Sequence, residues 1–168
     1  MNTENNKNFE DLKSETVNVK VTTGDEKPVI LVIDDDNMEI VIPEINTDSG
    51  LELCSGNRKI YIQSLRLFVK NIPETLKKMR GVTGNNLKSY SISVHSLKGA
   101  CDYIGAEEAR KTAKLLENLA DAGDLKGILE RNEMFIKQIE KIIVNIQTWL
   151  DKNSGFTGKT PNAERNNG

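Results

Sequence analysis

His95-Ser-Leu-Lys-Gly-Ala-Cys-Asp-Tyr-Ile-Gly-Ala106 contains the single histidine of the 168-residue chain. Leading into it and through it, Leu87, Tyr90, Val94, Leu97, Cys101 and Ile104 recur at steps of three and four, the spacing of one buried helix face. That seam predicts a helix and sets His95 beside it, about 100° round from Val94. Lys98 and Gly99 follow His95 by three and four residues, so an imidazole, an ammonium and a patch without a side chain share one flank. Lys88, Ser91 and Asp102 fall in the same neighbourhood and are candidate partner contacts. Glycine inside a helix costs roughly 1 kcal/mol relative to alanine, so Gly99 points to something that must approach the backbone there.

A lone histidine on the outside of a helix is ordinarily a solvated residue. What sets this one apart is the combination of His95, Lys98 and Gly99 with Ile104, Gly105 and Ala106 at fixed offsets. The stretch resembles the signature of histidine phosphotransfer (HPt) domains of bacterial two-component phosphorelays, and the resemblance runs from about Ile42 to Leu150. It implies a phosphorelay intermediate that accepts a phosphoryl group on His95 from a receiver-domain aspartate or a kinase and passes it to another receiver aspartate. Lys98 would offset the charge of the phosphoryl oxygens, and Gly99 would admit the partner loop that bears the aspartate. In HPt domains an acidic or amide side chain on the following helix orients the imidazole. The matching position, twenty-two residues after the histidine, is Glu117.

The implied partners are receiver domains of response regulators and hybrid histidine kinases. Magnesium would sit on the partner receiver, so no cofactor or metal of the chain's own is expected. Free imidazole titrates near about 6.5, so a neutral nucleophilic nitrogen is available at neutral pH without special activation. No Gly-x-x-x-x-Gly-Lys loop is present, and a phosphotransfer protein without its own kinase or ATP site is expected. The rival reading is an adaptor of the same shape that docks and regulates a receiver or kinase without carrying phosphate.

An apolar fraction of 37% and four prolines suit one helical domain with polar tails. Lys and Arg number 23 against 25 Asp and Glu, a net charge of -2, which offers no electrostatic footprint for nucleic acid or an anionic membrane. No apolar run approaches the roughly 20 residues that span a bilayer, and the N-terminus lacks a signal-peptide pattern, so a cytoplasmic location is expected. Cys54 and Cys101 form no Cys-x-x-Cys pair and lack a second histidine, which predicts two buried thiols and not a zinc site.

Outward from the histidine helix, the pattern predicts an antiparallel four-helix bundle with a short extra N-terminal helix, spanning residues 43–151. The short helix follows the capping residues from Asn46 and carries Leu51, Leu53 and Cys54. A long helix shows Tyr61, Leu65, Phe68, Ile72, Leu76 and Met79 in phase, with a bend expected ahead of Pro73. Beyond Gly105, a helix opened by Glu107 and Glu108 presents Ala109, Ala113, Leu116 and Ala120, with Leu115 and Leu119 widening the stripe. The last helix runs through Leu125, Ile128, Phe135, Ile139, Ile142, Ile146 and Trp149.

Residues 1–15 and 152–168 lack periodicity and read as disordered tails. Between them and the bundle, residues 16–42 alternate like a small β-hairpin or meander, with Asp34-Asp-Asp-Asn37 as its turn. Ile30-Leu-Val-Ile-Asp-Asp35 looks like the first strand of a receiver domain, but the further alternating strands and helices of a receiver do not follow.

Overall fold

The computed structural model describes residues 39–153. Five helices follow in order: α1 Thr47–Leu53, α2 Arg58–Arg80, α3 Leu87–Ile104, α4 Glu107–Asp121 and α5 Leu125–Asn153. Short turns join the last four, so neighbours run antiparallel. α2 packs on α3, α3 on α4, α4 on α5 and α5 back on α2, closing a ring around one core, and α1 lies against α2 and α3. The expected all-α bundle with a short additional N-terminal helix is the observed architecture.

The ends of the helices are fixed by side chains that the sequence supplies at the right offsets. Asn46 and Asn57 accept hydrogen bonds from the backbone N–H of Ser49 and Ile60, at 3.2 and 3.1 Å. Asn86 closes the α2–α3 turn from both ends of its amide. Its oxygen accepts from Thr83 N–H at 2.7 Å, and its Nδ2 donates to the Gly81 carbonyl at 2.8 Å. Asp124 accepts from Gly127 N–H at 2.8 Å and so begins α5.

The end of α3 matters most for the site. Gly105 adopts φ +83°, and Ala106 N–H reaches back to the Cys101 carbonyl at 2.8 Å, the left-handed closure that glycine permits. Its own carbonyl accepts from Asn46 N–H at 2.8 Å, and a Cβ at this position would lie 2.0 Å from the Asn46 oxygen. The Tyr61 hydroxyl donates to the Ile104 carbonyl at 2.8 Å from within the core. The last turn of α3 is thus tied to the start of α1 by one hydrogen bond and to α2 by another.

The seams behave as their spacing requires. All six in-phase residues of α2 are buried, and the helix continues unbroken through Pro73. On α3, Tyr90, Val94, Leu97, Cys101 and Ile104 are buried, with Leu87 half-buried at the mouth of the turn. Both cysteines are buried and free. Burial, reinforced by the Asp102 charge, pushes the Cys101 thiol up to about 12, so it stays protonated at neutral pH.

Three features depart from the sequence reading. Leu115 is 46% exposed and does not widen the α4 stripe, because it lies about 200° round the helix from Ala113, nearly opposite the core. Asn132, which the apolar pattern passed over, is buried within α5. It accepts from the Tyr90 hydroxyl at 2.7 Å and donates to the Met79 carbonyl at 2.9 Å, a polar tie between α3, α5 and the end of α2. The third concerns the N-terminal boundary. Residues 39–42 form no strand, and Ile40 and Ile42 are buried, so packing begins ahead of Pro43. The chain there lies along α5: Asn145 donates to the Pro43 carbonyl at 3.3 Å, and Lys141 pairs with Glu44 at 2.9 Å. The expected tail 1–15, the remainder of the hairpin and the tail beyond Asn153 lie outside the described residues.

Candidate functional site

His95 stands near the middle of α3 with 68% of its side chain exposed. Placement follows from the seam: with Val94 fully buried, the next residue turns to the surface. The neighbouring helix α4 supplies the group that fixes the ring. Glu117 Oε1 lies 2.5 Å from His95 Nδ1, while Glu117 Oε2 accepts from Lys98 Nζ at 2.6 Å. A second ammonium, Lys114 Nζ, lies 3.4 Å from the same Oε2. One carboxylate, with only 10% of its side chain exposed, therefore holds the imidazole and two lysines.

Electrostatics decide the protonation pattern. The Lys98 ammonium, then the hydrogen bond from His95, hold the Glu117 carboxyl down to about 2 against the opposing effect of burial. Glu117 is consequently ionised at neutral pH and can only accept. The proton in the short contact belongs to His95 Nδ1, so in the neutral ring the lone pair is on Nε2. The arrangement is a nucleophilic nitrogen on an accessible ring whose tautomer and orientation are set by a carboxylate beneath it.

Gly99 lies one turn on from His95. A Cβ built there would meet nothing within 4 Å, so the glycine fills no packing requirement of the bundle. It lines an open, largely apolar groove between α2 and α3, together with Leu67, Phe68, Ile72 and Tyr103. The surface around His95 is therefore two-sided. Toward α4 it is polar, with Lys98 and Glu117; toward α2 it is apolar, with Leu67 46% and Tyr103 44% exposed.

The other sequence candidates fall on the same helix but engage the bundle itself. The Ser91 hydroxyl donates to Asp121 at 2.7 Å, and Asp102 pairs with Arg110 at 3.4 Å, both across the α3–α4 interface. Lys88 is exposed two turns before His95. Lys114 and the α2 wall of the groove escaped the sequence reading. Lys114 had a signal, since it precedes Glu117 by three residues on the same helix face. Leu67 had only its apolarity at a position off the α2 seam. Among the described residues, no cluster of three His, Cys, Asp or Glu side chains could hold a metal ion. Nor is any described helix long and apolar enough to cross a membrane.

Comparison with protein families places this geometry. The model of the Hpt domain matches residues 63–149, slightly more than half of the chain. The chain belongs to the Hpt family. The match takes in most of α2, all of α3 and α4, and α5 as far as Trp149, so His95, Lys98, Gly99 and Glu117 lie inside it. No curated protein and no solved structure matches the chain. Hpt domains are the histidine phosphotransfer carriers of phosphorelays, and they work with response-regulator receivers or kinases.

Proposed function

We propose that this Hpt domain is a phosphorelay intermediate in which His95 Nε2 takes a phosphoryl group from a receiver-domain aspartate, or from a kinase, and returns it to the aspartate of a second receiver. The observation that carries this reading is the Nδ1 contact to an ionised Glu117, which leaves the exposed Nε2 as the nucleophile. In the accepting step the Nε2 lone pair attacks phosphorus, the N–P bond forms and the aspartyl O–P bond breaks, leaving the partner's carboxylate free. The ring becomes an imidazolium, with its positive charge facing Glu117 through the Nδ1 proton. Donation is the reverse, and the imidazole leaves as a neutral ring. No proton has to enter or leave the site in either direction, which suits a reversible carrier.

Lys98, already drawn to this corner by Glu117, offsets charge on the phosphoryl oxygens; such transfers rest chiefly on positioning and charge stabilisation. Gly99 leaves the approach to Nε2 unobstructed, and the apolar α2–α3 groove beside it suits the apolar part of a receiver surface. Ser91 and Asp102 serve this face through their contacts to α4, with Lys88 at its margin. Magnesium belongs to the partner receiver, the domain carries no kinase or ATP site of its own, and its place of action is the cytoplasm where receivers work.

The test is to incubate the protein with a phosphorylated receiver and follow acid-labile label, comparing the unsubstituted chain with His95→Gln. Label is expected on the former alone. Equal labelling of both, or labelling of neither, overturns the reading.

A further inference from the structure

Glu117 is approached by one more cation than the resting site needs. Lys98 Nζ already binds Oε2 at 2.6 Å, yet Lys114 Nζ waits 3.4 Å from the same oxygen. The two lysines come from different helices, Lys98 from α3 and Lys114 from α4, so they reach the carboxylate from separate directions. Lys98 also lies three residues beyond His95 on its own helix, which makes it the ammonium best placed for a group attached at Nε2. Its three N–H donors can reach both groups, but its single positive charge is then shared between the carboxylate and the phosphoryl oxygens.

Resting on the reading of His95 as the phosphoacceptor, we propose that Lys114 is a positioning residue that takes over Glu117 Oε2 when Lys98 turns toward the phosphoryl group. The burial of Glu117 favours such a replacement at Oε2. The imidazolium still faces Oε1, but the side chain is only 10% exposed, so Oε2 left without its ammonium is poorly replaced by water and the carboxylate either pays a desolvation penalty or is pushed toward taking up a proton. A protonated Glu117 would release His95 Nδ1–H, and the ring would lose both its orientation and the counter-charge to its imidazolium form.

Lys114 prevents this at small cost. It is 55% exposed, and rotation of its flexible stem closes the remaining gap to the usual ~2.8 Å of a charge-assisted hydrogen bond. The charge count points the same way. Two ammonium groups face one carboxylate at rest, and a phosphoryl group adds nearly two further negative charges. Without Lys114, a single ammonium is divided between the carboxylate and the phosphoryl group.

The experiment uses phosphoramidate, a small donor that requires no partner protein, with the full chain and its Lys114→Gln and Lys114→Arg variants. The ratio of phosphorylated to free protein at steady state is read by phosphorus NMR, and lysine ammonium resonances are recorded in both states. Lys114→Gln is expected to lower the ratio about fivefold, the scale of one partly exposed charge pair, and Lys114→Arg to restore it. In the unsubstituted protein the Lys114 ammonium resonance should sharpen on phosphorylation as that of Lys98 shifts. A ratio unchanged in Lys114→Gln, a failure of arginine to rescue, or a Lys114 resonance indifferent to phosphorylation overturns the inference while leaving His95 as acceptor. Absence of label from the unsubstituted protein overturns the phosphotransfer reading itself.

Discussion

Glu117→Gln is the substitution that separates charge from shape at the site. The two side chains are isosteric, so packing on α4 is preserved, but the amide cannot satisfy both neighbours. If its oxygen accepts from His95 Nδ1–H, its NH2 group faces the Lys98 ammonium, donor against donor. Flipped, it satisfies Lys98 but offers a donor to His95 Nδ1, which drives the ring proton to Nε2 and removes the lone pair that would attack phosphorus. A hydrogen bond to a charged group contributes about 1.5–3 kcal/mol. Either orientation gives up one of these bonds and the negative charge that strengthens the other, but His95 is 68% exposed and solvent screens its share, so the expected loss of stability is about 1–2 kcal/mol. For a packed unit of this size that is a fall of about 3–8 °C in Tm.

The pH dependence carries the sharper test. Because the folded Glu117 carboxyl is depressed from 4.5 to about 2, its contribution is fully present above the unfolded value and is lost as pH falls through the folded one. Urea unfolding of both proteins should therefore show a constant difference at pH 5 and above, shrinking between pH 4.5 and 2. A difference that stays constant down to pH 2, or no difference at pH 7, would refute the reasoning. In parallel, transfer from a phosphorylated receiver should slow by about tenfold or more, the equivalent of ~1.4 kcal/mol in the barrier.

Other expectations follow from single positions. Gly99→Ala should raise stability by about 0.5–1 kcal/mol in thermal unfolding, since its Cβ meets nothing and helix propensity improves. Gly99→Arg should keep its helical circular dichroism and its labelling by phosphoramidate yet fail to accept phosphate from a receiver; loss of the fold would instead make Gly99 a packing residue. Gly105→Ala forces a side chain into left-handed backbone and against the Asn46 carbonyl, and should cost at least ~2 kcal/mol in urea unfolding. Deletion through residue 42, compared with deletion through residue 38, removes buried Ile40 and Ile42 and should lower stability by about 2–4 kcal/mol; equal stabilities would mean that those two side chains add nothing to the core.

The bundle was legible because its four long helices each present one apolar stripe in phase, and burial followed phase at every seam residue of α2. Where the reading failed, burial was decided across helices and not along one. Leu115 is apolar but faces away from the α4 stripe, whereas Glu117 is charged but lies only about 40° from Ala113 and turns inward. Helical arithmetic alone could have corrected the first and flagged the second. Asn132 could not be found that way, since its inward position is made tolerable only by Tyr90 and Met79 from two other helices. At the site, His95, Lys98 and Gly99 lie near one another in sequence and were visible there. The carboxylate that organises them was reached only through its offset in a family pattern, and Lys114 was visible only once Glu117 had been seen to point inward.

The most direct test of the central claim is which ring nitrogen carries the phosphoryl group. Histidine labelled with 15N in the imidazole, in protein phosphorylated by phosphoramidate at neutral to mildly alkaline pH, reports this through its 15N shifts and 31P coupling. The account predicts phosphorus bonded to His95 Nε2, with Nδ1 still protonated and held by Glu117. Phosphorus on Nδ1, or label on any residue other than His95, would contradict it.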